Sequence, residues 1–321
     1  MRLQALGGGL LIAGLTFQIA ATEAATALFL AREASLLSGI CGMSGPLSPA
    51  PPLPLSMITQ AGESLSGFFT TSTPQEVPTA NSGMALTERC RADQADVVVA
   101  CDRETIQTVI QECAIPLLAV RVSRQQVTPL LTFPRQAAAS AIYLEADPLL
   151  NLQLARVLLP QARTVGVWVS TPAPAWLSSL RREARRLQFT LEEMRVSDDL
   201  EAVRALRPRL TRLDVVLLPP DSTLINEWSL KPLLLMTLRQ GVPVFGGLTA
   251  SYVEAGVLAA VVADEARLPE QMQRFIAELA HGRTPAPTYP TTVRVVINAT
   301  VAQTLGLSAD AVARARALFS R

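Results

Sequence analysis

The sequence predicts an α/β protein built as two Rossmann-like lobes with parallel sheets. Three observations lead there. Short runs such as Asp96-Val-Val-Val-Ala100 and Asp214-Val-Val-Leu-Leu218 are apolar from their second residue on, as strands buried on both faces of a sheet must be. Stretches with apolar residues at helical spacing alternate with these runs, the order that covers parallel sheets with helices. The chain has 321 residues, more than one ordinary domain of roughly 100–200 residues holds.

Residues 25–31 read as a short apolar strand, 41–54 as a Gly/Ser/Pro loop, 55–58 as a second strand and 70–84 as a surface loop without periodicity. The strand over 96–100 leads into a helix over 104–113, where Ile106, Val109 and Ile110 share a face, and 116–120 is the next strand. A helix over 148–159 is stopped by Pro160. Strand 164–169, an Arg-rich helix 175–187, strand 189–196 and helix 200–206 follow. Then come strand 214–218, helix 224–239 with Gly241 at its end, strand 242–245 and strand 257–262. Helix 269–280 has Gly282 just past its end, 293–297 and 301–305 close the fold, and Ser308 caps a last helix to Phe319. No fixed period runs through the chain, which excludes a solenoid.

The amino terminus, Met1-Arg2 followed by an apolar run, reads as a secretory leader over residues 1–24. Thr22-Glu23-Ala24 and Ala25-Thr26-Ala27 are both cleavage candidates. An uncleaved anchor is the other reading, and Gly7-Gly8-Gly9 and Gln18 weaken it, since a span needs about 20 apolar residues. No later stretch is long enough to span, so no stable membrane insertion is expected after cleavage. Export would place Cys41, Cys90, Cys101 and Cys113 in an oxidising space. Their spacing does not choose a disulfide pairing, and buried thiols are an equal reading.

The 28 Lys+Arg balance 27 Asp+Glu for a net charge of +1. That balance argues against a nucleic-acid binder, which needs a basic stripe. One histidine, His281, rules out a His-rich metal site, and Lys231 is the single lysine. These counts favour binding over catalysis, and neither cofactor nor metal is expected.

Ligands of open α/β sheets sit beyond the carboxyl ends of the strands. That rule selects Asp102 and Arg103, Arg121, Ser170 and Thr171, Asp221 with Ser222 and Thr223, and Thr249 as ligand-binding candidates. Asp221 can receive a ligand ammonium, or cap the following helix, or do both. Arg103 and Arg121 suit an anionic ligand, which guanidinium groups hold bidentately, or are solvated arginines in an Arg-biased chain. Glu145 and Asp147 could form an acid–base pair, but a hinge with Asp147 as helix cap accounts for them better. His281 complements a helix carboxyl end. Arg181, Arg182, Arg185 and Arg186 read as a solvated face; Trp168 reads as core, and Trp176 and Trp228 as stacking candidates. No nucleophile–base set is present, so no enzyme is expected.

Several segments share their order and spacing with a known family: Ala141-Ile-Tyr-Leu-Glu-Ala-Asp-Pro148, Leu158-Leu-Pro-Gln-Ala-Arg-Thr-Val-Gly-Val167, Asp214-Val-Val-Leu-Leu-Pro-Pro-Asp-Ser-Thr223, Val242-Pro-Val-Phe-Gly246, Tyr252-Val-Glu-Ala-Gly-Val-Leu-Ala-Ala260 and Val295-Val-Ile-Asn-Ala-Thr-Val-Ala-Gln-Thr-Leu-Gly-Leu307. From about Asp96 onward the chain resembles substrate-binding proteins of ABC transporters with the type I periplasmic-binding-protein fold, the group that includes tryptophan/tyrosine-binding members. The resemblance implies an N-terminal lobe over 25–138 and 264–288 and a C-terminal lobe over 139–263 and 289–321. It implies hinges near 134–142, 262–266 and 286–292, closing on a small anionic or amino-acid-like solute in the inter-lobe cleft. A periplasmic monomer serving an ABC permease follows from it. Two departures stand out: Cys101-Asp102-Arg103 replaces a small Gly-Thr-type turn, and Arg121-Val122-Ser123 replaces an Asp-Pro pair. They leave room for an alternative, a binding or sensor module without transport whose ligand site has degenerated.

Overall fold

The computed structural model describes residues 95–135 and 137–319, with the backbone of three strands nearer the amino terminus. The readings at 41–54, 55–58 and 70–84, and those for Cys41 and Cys90, lie outside the described residues. The chain divides into two compact units, Met1–Tyr143 with Glu265–Thr288 and Leu144–Asp264 with Tyr289–Arg321. It therefore passes between them three times.

In the first unit, β1 (Gln4–Leu6), β2 (Leu10–Ile19), β3 (Glu23–Ala31), β4 (Val97–Ala100), β5 (Leu117–Val122) and β6 (Ala139–Tyr143) lie side by side in that order. β3 to β6 run parallel, while β1 and β2 are antiparallel additions at one edge, within the stretch read as a leader. The sequence reading placed residues 139–143 in the other lobe; the ladder β5–β6 puts them in this sheet, so the first crossing comes after Tyr143. The returning segment lies against β6, with Tyr143 N–H donating to Thr288 O at 2.9 Å and Thr288 N–H to Ala141 O at 3.0 Å. A helix over Arg124–Leu131 was not foreseen. Pro129 inside it hides its periodicity, yet Ser123 and Gln126 close a capping box at its start.

In the second unit, β7 (Thr164–Val169), β8 (Thr190–Arg195), β9 (Val215–Leu218), β10 (Val244–Gly246), β11 (Ala259–Ala263) and β12 (Val293–Ile297) form a sheet in the order β12-β11-β10-β9-β7-β8. All neighbours are parallel except β11 and β12. Strand period two sorts the apolar side chains onto two faces. Val165, Val167, Val215, Leu217 and Val261 pack with Leu152, Leu180, Ala311 and Phe319 on one side. Trp168, Val216, Leu218, Ala260 and Val262 pack with Ala202, Leu206, Leu230 and Leu233 on the other. The apolar strand runs are thus explained: both faces are covered. Residues 301–305, read as part of the closing apolar segments, lie mostly in a helix over Ala299–Thr304 capped by Asn298.

The β10–β11 ladder is short because β10 has only 3 residues. Asn151, on the helix Pro148–Leu158, fills the gap: its Oδ1 accepts from Val261 N–H at 2.7 Å in the buried interior. Asn151→Leu keeps the volume but strands that N–H. It is expected to cost about 1–3 kcal/mol in urea denaturation; an unchanged midpoint would refute the role given to Asn151.

Several arginines stitch secondary structure together. Arg156 stacks on Phe189, 3.8 Å from its centroid, and donates to the carbonyls of Leu187, Pro160 and Ala162 at 2.7–3.0 Å, satisfying acceptors left open where two helices end. Strand β8 is an edge, and charge blunts it: Glu192 pairs with Arg209 and Arg212, Glu193 with Arg181. The hydrogen bonds from Arg181 hold the Glu193 carboxyl below the usual carboxylate range. Arg181 is thereby engaged, and Arg186 pairs with Glu183, so the expected solvated face is partly a bracing one. Cys113 is disulfide-bonded, to a partner outside the described residues, and Cys101 is a buried thiol. Among the described residues no helix is long and apolar enough to cross a membrane.

Candidate functional site

The strand order of the second unit reverses between β7 and β9: from β9 the chain moves outward to β10 and β11, from β7 to β8. Loops at the carboxyl ends of the strands flanking such a reversal splay apart and leave a crevice. The loop after β7 carries Ser170, half-buried, and Thr171, exposed; the loop after β9 carries Asp221, Ser222 and Thr223.

Asp221 is 3% exposed. Its Oδ1 accepts from both Thr223 N–H, at 2.9 Å, and Thr223 Oγ1, while its main-chain carbonyl accepts from Leu224 and Ile225 N–H. The residue therefore shapes a turn of its own. The helix expected from 224 begins instead at Glu227, and its cap is Asn226, whose Oδ1 accepts from Trp228 and Ser229 N–H. Asp221 is thus not the helix cap. Its second oxygen, Oδ2, is buried and meets no donor among the described residues. Buried polar oxygens are hydrogen-bonded in the great majority of cases, because an unmade bond costs the full desolvation of the group.

A second loop closes on this turn. Gly246, the last residue of β10, and Gly247 just after it have φ of +92° and +112°, a region L side chains rarely occupy. A Cβ on Gly247 would fall 2.6 Å from Tyr252 Cγ, so the ring lies directly on the glycine backbone. The Tyr252 hydroxyl donates to Ile225 O at 2.9 Å, which joins the two loops. Burial pushes that hydroxyl above the usual phenol range, and the nearby carboxylates of Asp221 and Glu227 push it the same way. It stays protonated and spends its proton on Ile225. Thr249, half-buried in the same loop, shares a 2.7 Å hydroxyl contact with Ser251. The sequence reading assigned Tyr252 no role; the paired glycines before it were the available sign of a close approach.

The candidates of the first unit form a separate set. Asp102 caps the helix Arg103–Glu112, with Oδ1 accepting from Thr105 N–H at 2.8 Å and Oδ2 from Thr105 Oγ1 at 2.7 Å. Arg103 opens that helix and is exposed. Arg121 is the extra residue of a bulge: the register steps from Val120↔Ile142 to Val122↔Tyr143 around it, and its φ is +57°. Bulges re-aim side chains, and left-handed backbone at a non-glycine residue is a strained conformation found at functional sites. Its guanidinium lies 4.0 Å from Glu265 Oε1, at the start of the returning segment.

Of the remaining sequence candidates, Asp147 caps its helix through Leu149 N–H at 3.0 Å, and Trp168 is core, with Nε1 donating to Ala202 O at 2.9 Å. Trp176 is buried in one face of the second core, while Trp228 is 85% exposed. His281 ends the helix Leu268–Ala280, its Nδ1 2.7 Å from Ala277 O.

No protein-family model matches the sequence, and no curated protein does. Solved structures do. A conserved domain protein from Vibrio cholerae O1 biovar El Tor is 19% identical, with TM-score 0.53, over 71% of this chain and 80% of the other. An ABC domain in complex with L-Trp from Streptococcus pneumoniae is 19% identical, with TM-score 0.52, over 70% and 80%. A ligand-free, open substrate-binding protein with adhesive properties from Clostridium difficile is 17% identical, with TM-score 0.53, over 70% and 78%. The likeness establishes the fold alone: a two-lobed α/β fold like the type I periplasmic-binding-protein fold that the sequence segments' resemblance implies.

Proposed function

We propose that the chain is the solute-binding component of an ABC transporter, taking up a small molecule at the carboxyl-end loops beside Asp221. The observation that carries this reading is the buried Oδ2 of Asp221, which meets no donor among the described residues, at a switch point where open α/β sheets bind ligands. The shared fold supports it, as does the L-Trp held by the pneumococcal neighbour. Ser170, Thr171, Ser222, Thr223 and Thr249 line the same loops and complete the proposed contact set of this unit. Arg121 and Arg103 are the candidates for an anionic group on the first unit, with Asp102 fixing the helix that carries Arg103. The apolar amino terminus supports a leader and a periplasmic location, and a disulfide at Cys113 suits that oxidising space. We assign no enzymatic activity, expect the chain to act as a monomer, and propose hinges at its three crossings.

The test is a thermal-shift and calorimetry screen of the leaderless chain against amino acids, sugars, organic acids and small phosphorylated compounds. One class should raise the melting temperature and bind saturably. Asp221→Asn, which keeps an oxygen for Thr223, should weaken it about 10- to 100-fold, the worth of a hydrogen bond to a charged group. Absence of any binder, or a binder indifferent to Asp221→Asn, would overturn the reading.

A second reading, a module that contacts a partner without transport, has one observation in its favour. Trp228, Leu235 and Leu238 project from one side of the helix Glu227–Arg239 and are all exposed.

A further inference from the structure

Among the described residues, three buried side-chain polar atoms meet no partner. One is Asp221 Oδ2; the other two, Nε and Nη1, belong to a single residue, Arg135. Arg135 lies in the connection that leads into β6, and its Nη2 donates to Ile115 O at 2.6 Å and to Cys113 O at 3.3 Å. Cys113 caps the carboxyl end of the helix Arg103–Glu112, and Ile115 precedes β5. The guanidinium therefore stands at the amino ends of β5 and β6, whereas Arg103 and Arg121 stand at the carboxyl ends of β4 and β5. Both of its acceptors are neutral carbonyls, and it takes part in none of the ion pairs among the described residues. Burial pushes its pKa down. A buried charge is costly unless it is both hydrogen-bonded and balanced by an opposite charge. Here one nitrogen is served by dipoles, two are unserved, and no carboxylate pairs with them. A hydroxyl would meet the hydrogen bonds and leave the charge uncompensated. An oxoanion meets both needs.

We propose that Arg135 holds an oxoanion, a carboxylate or a phosphate, at the amino ends of the first unit's strands. Nη1 carries two N–H groups and is the point of attachment. Thr132, Phe133 and Pro134, which lead into Arg135, are all exposed, so this connection gives way as the anion enters. The site goes beyond solute binding and does not depend on it. It lies at the far end of the helix that carries Arg103, about 15 Å along its axis.

Calorimetry and thermal shift with the full chain, its Cys113 disulfide intact, test this with inorganic phosphate, acetate, succinate and citrate. Sodium chloride holds the ionic strength constant throughout. At least one of these anions should bind saturably and raise the melting temperature, and which one binds separates a carboxylate from a phosphate. Arg135→Gln should weaken it at least about 10-fold, the worth of a hydrogen bond to a charged group. Arg283→Gln, at an exposed arginine of the same unit, should leave it unchanged. Circular dichroism reports whether Arg135→Gln is folded. Where it is not, the guanidinium N–H signals of Arg135 in NMR decide: identified by their loss in Arg135→Lys, they should shift during the titration. A binder lost in Arg121→Gln and kept in Arg135→Gln would belong to the proposed solute site and overturn the assignment. So would stabilisation that never saturates and is alike in parent and variant, the general effect of such ions. No binding by any of the four, with the Arg135 signals unmoved, would overturn it too and leave the solute-binding reading standing.

Discussion

Replacing Trp168 by alanine is expected to lower the stability of the second unit by about 3–5 kcal/mol, the usual cost of truncating a fully buried large aromatic side chain. Trp168 is 0% exposed and stands on β7, the strand that pairs on both sides, with β8 and β9. Its ring fills the face shared with Met194, Ala202, Leu206 and Val216, and its Nε1 satisfies Ala202 O. Alanine would leave a cavity and an unpaired carbonyl together. Phenylalanine would keep most of the volume and lose only the hydrogen bond, so Trp168→Phe should cost about 1–3 kcal/mol. Urea denaturation of both variants measures the order. If Trp168→Ala unfolds at the midpoint of the parent chain, the packing described for this face is wrong.

Gly247→Ala should be the most damaging change near the candidate site, at about 3 kcal/mol or more. Backbone strain at φ +112° contributes about 1–3 kcal/mol, and forced overpacking adds about as much again. The new Cβ would sit 2.6–2.8 Å from Tyr252 Cγ, Cβ and Cδ1, a side chain held at its far end by Ile225 O. Gly282 provides the control: its φ is +73°, but nothing lies within 4 Å of a Cβ there. Gly282→Ala should therefore show conformational strain alone, roughly 1–2 kcal/mol. The pair Gly247→Ala with Tyr252→Gly, which removes the Cβ at 2.7 Å as well as the ring, should recover the steric part of the loss, in a double-mutant cycle read by denaturation. Equal losses for Gly247→Ala and Gly282→Ala would show that Tyr252 does not press on the glycine. Where the ring is displaced, the loop beside Asp221 moves with it, so solute affinity should fall in the same variant.

How much of this was legible in the sequence depends on the range of the interaction concerned. Strands β4, β7 and β9 could be read directly, because burial on both faces forces uniform apolar runs that little else produces. Helix Arg124–Leu131 escaped because Pro129 argues against a helix interior. Residues 139–143 were assigned to the other lobe beside a hinge, and their strand was not read, because a short segment's own sequence does not say which neighbour it pairs with. The site shows the same division. Asp221 could be picked out from its place after an apolar strand. That its Oδ2 is buried without a donor among the described residues, and that it does not cap the helix, are matters of which atoms surround it.

By itself the sequence determined the α/β class, the order of most elements, the exclusion of a His-rich metal site and the short list of strand-end residues. Each of these follows from local spacing or from counts, which the chain carries whether folded or not. Only the tertiary structure decided the strand order β12-β11-β10-β9-β7-β8, and with it the place of the switch point. It alone decided that Tyr252 closes on Gly247 and that Asn151 serves Val261 across 110 positions of sequence. It alone distinguished Asp221, with a buried oxygen unserved by any described residue, from Asp102, whose two oxygens both bind Thr105. The reason is physical. Propensity and periodicity act between near neighbours, whereas desolvation and hydrogen-bond satisfaction depend on what the whole fold brings to one point.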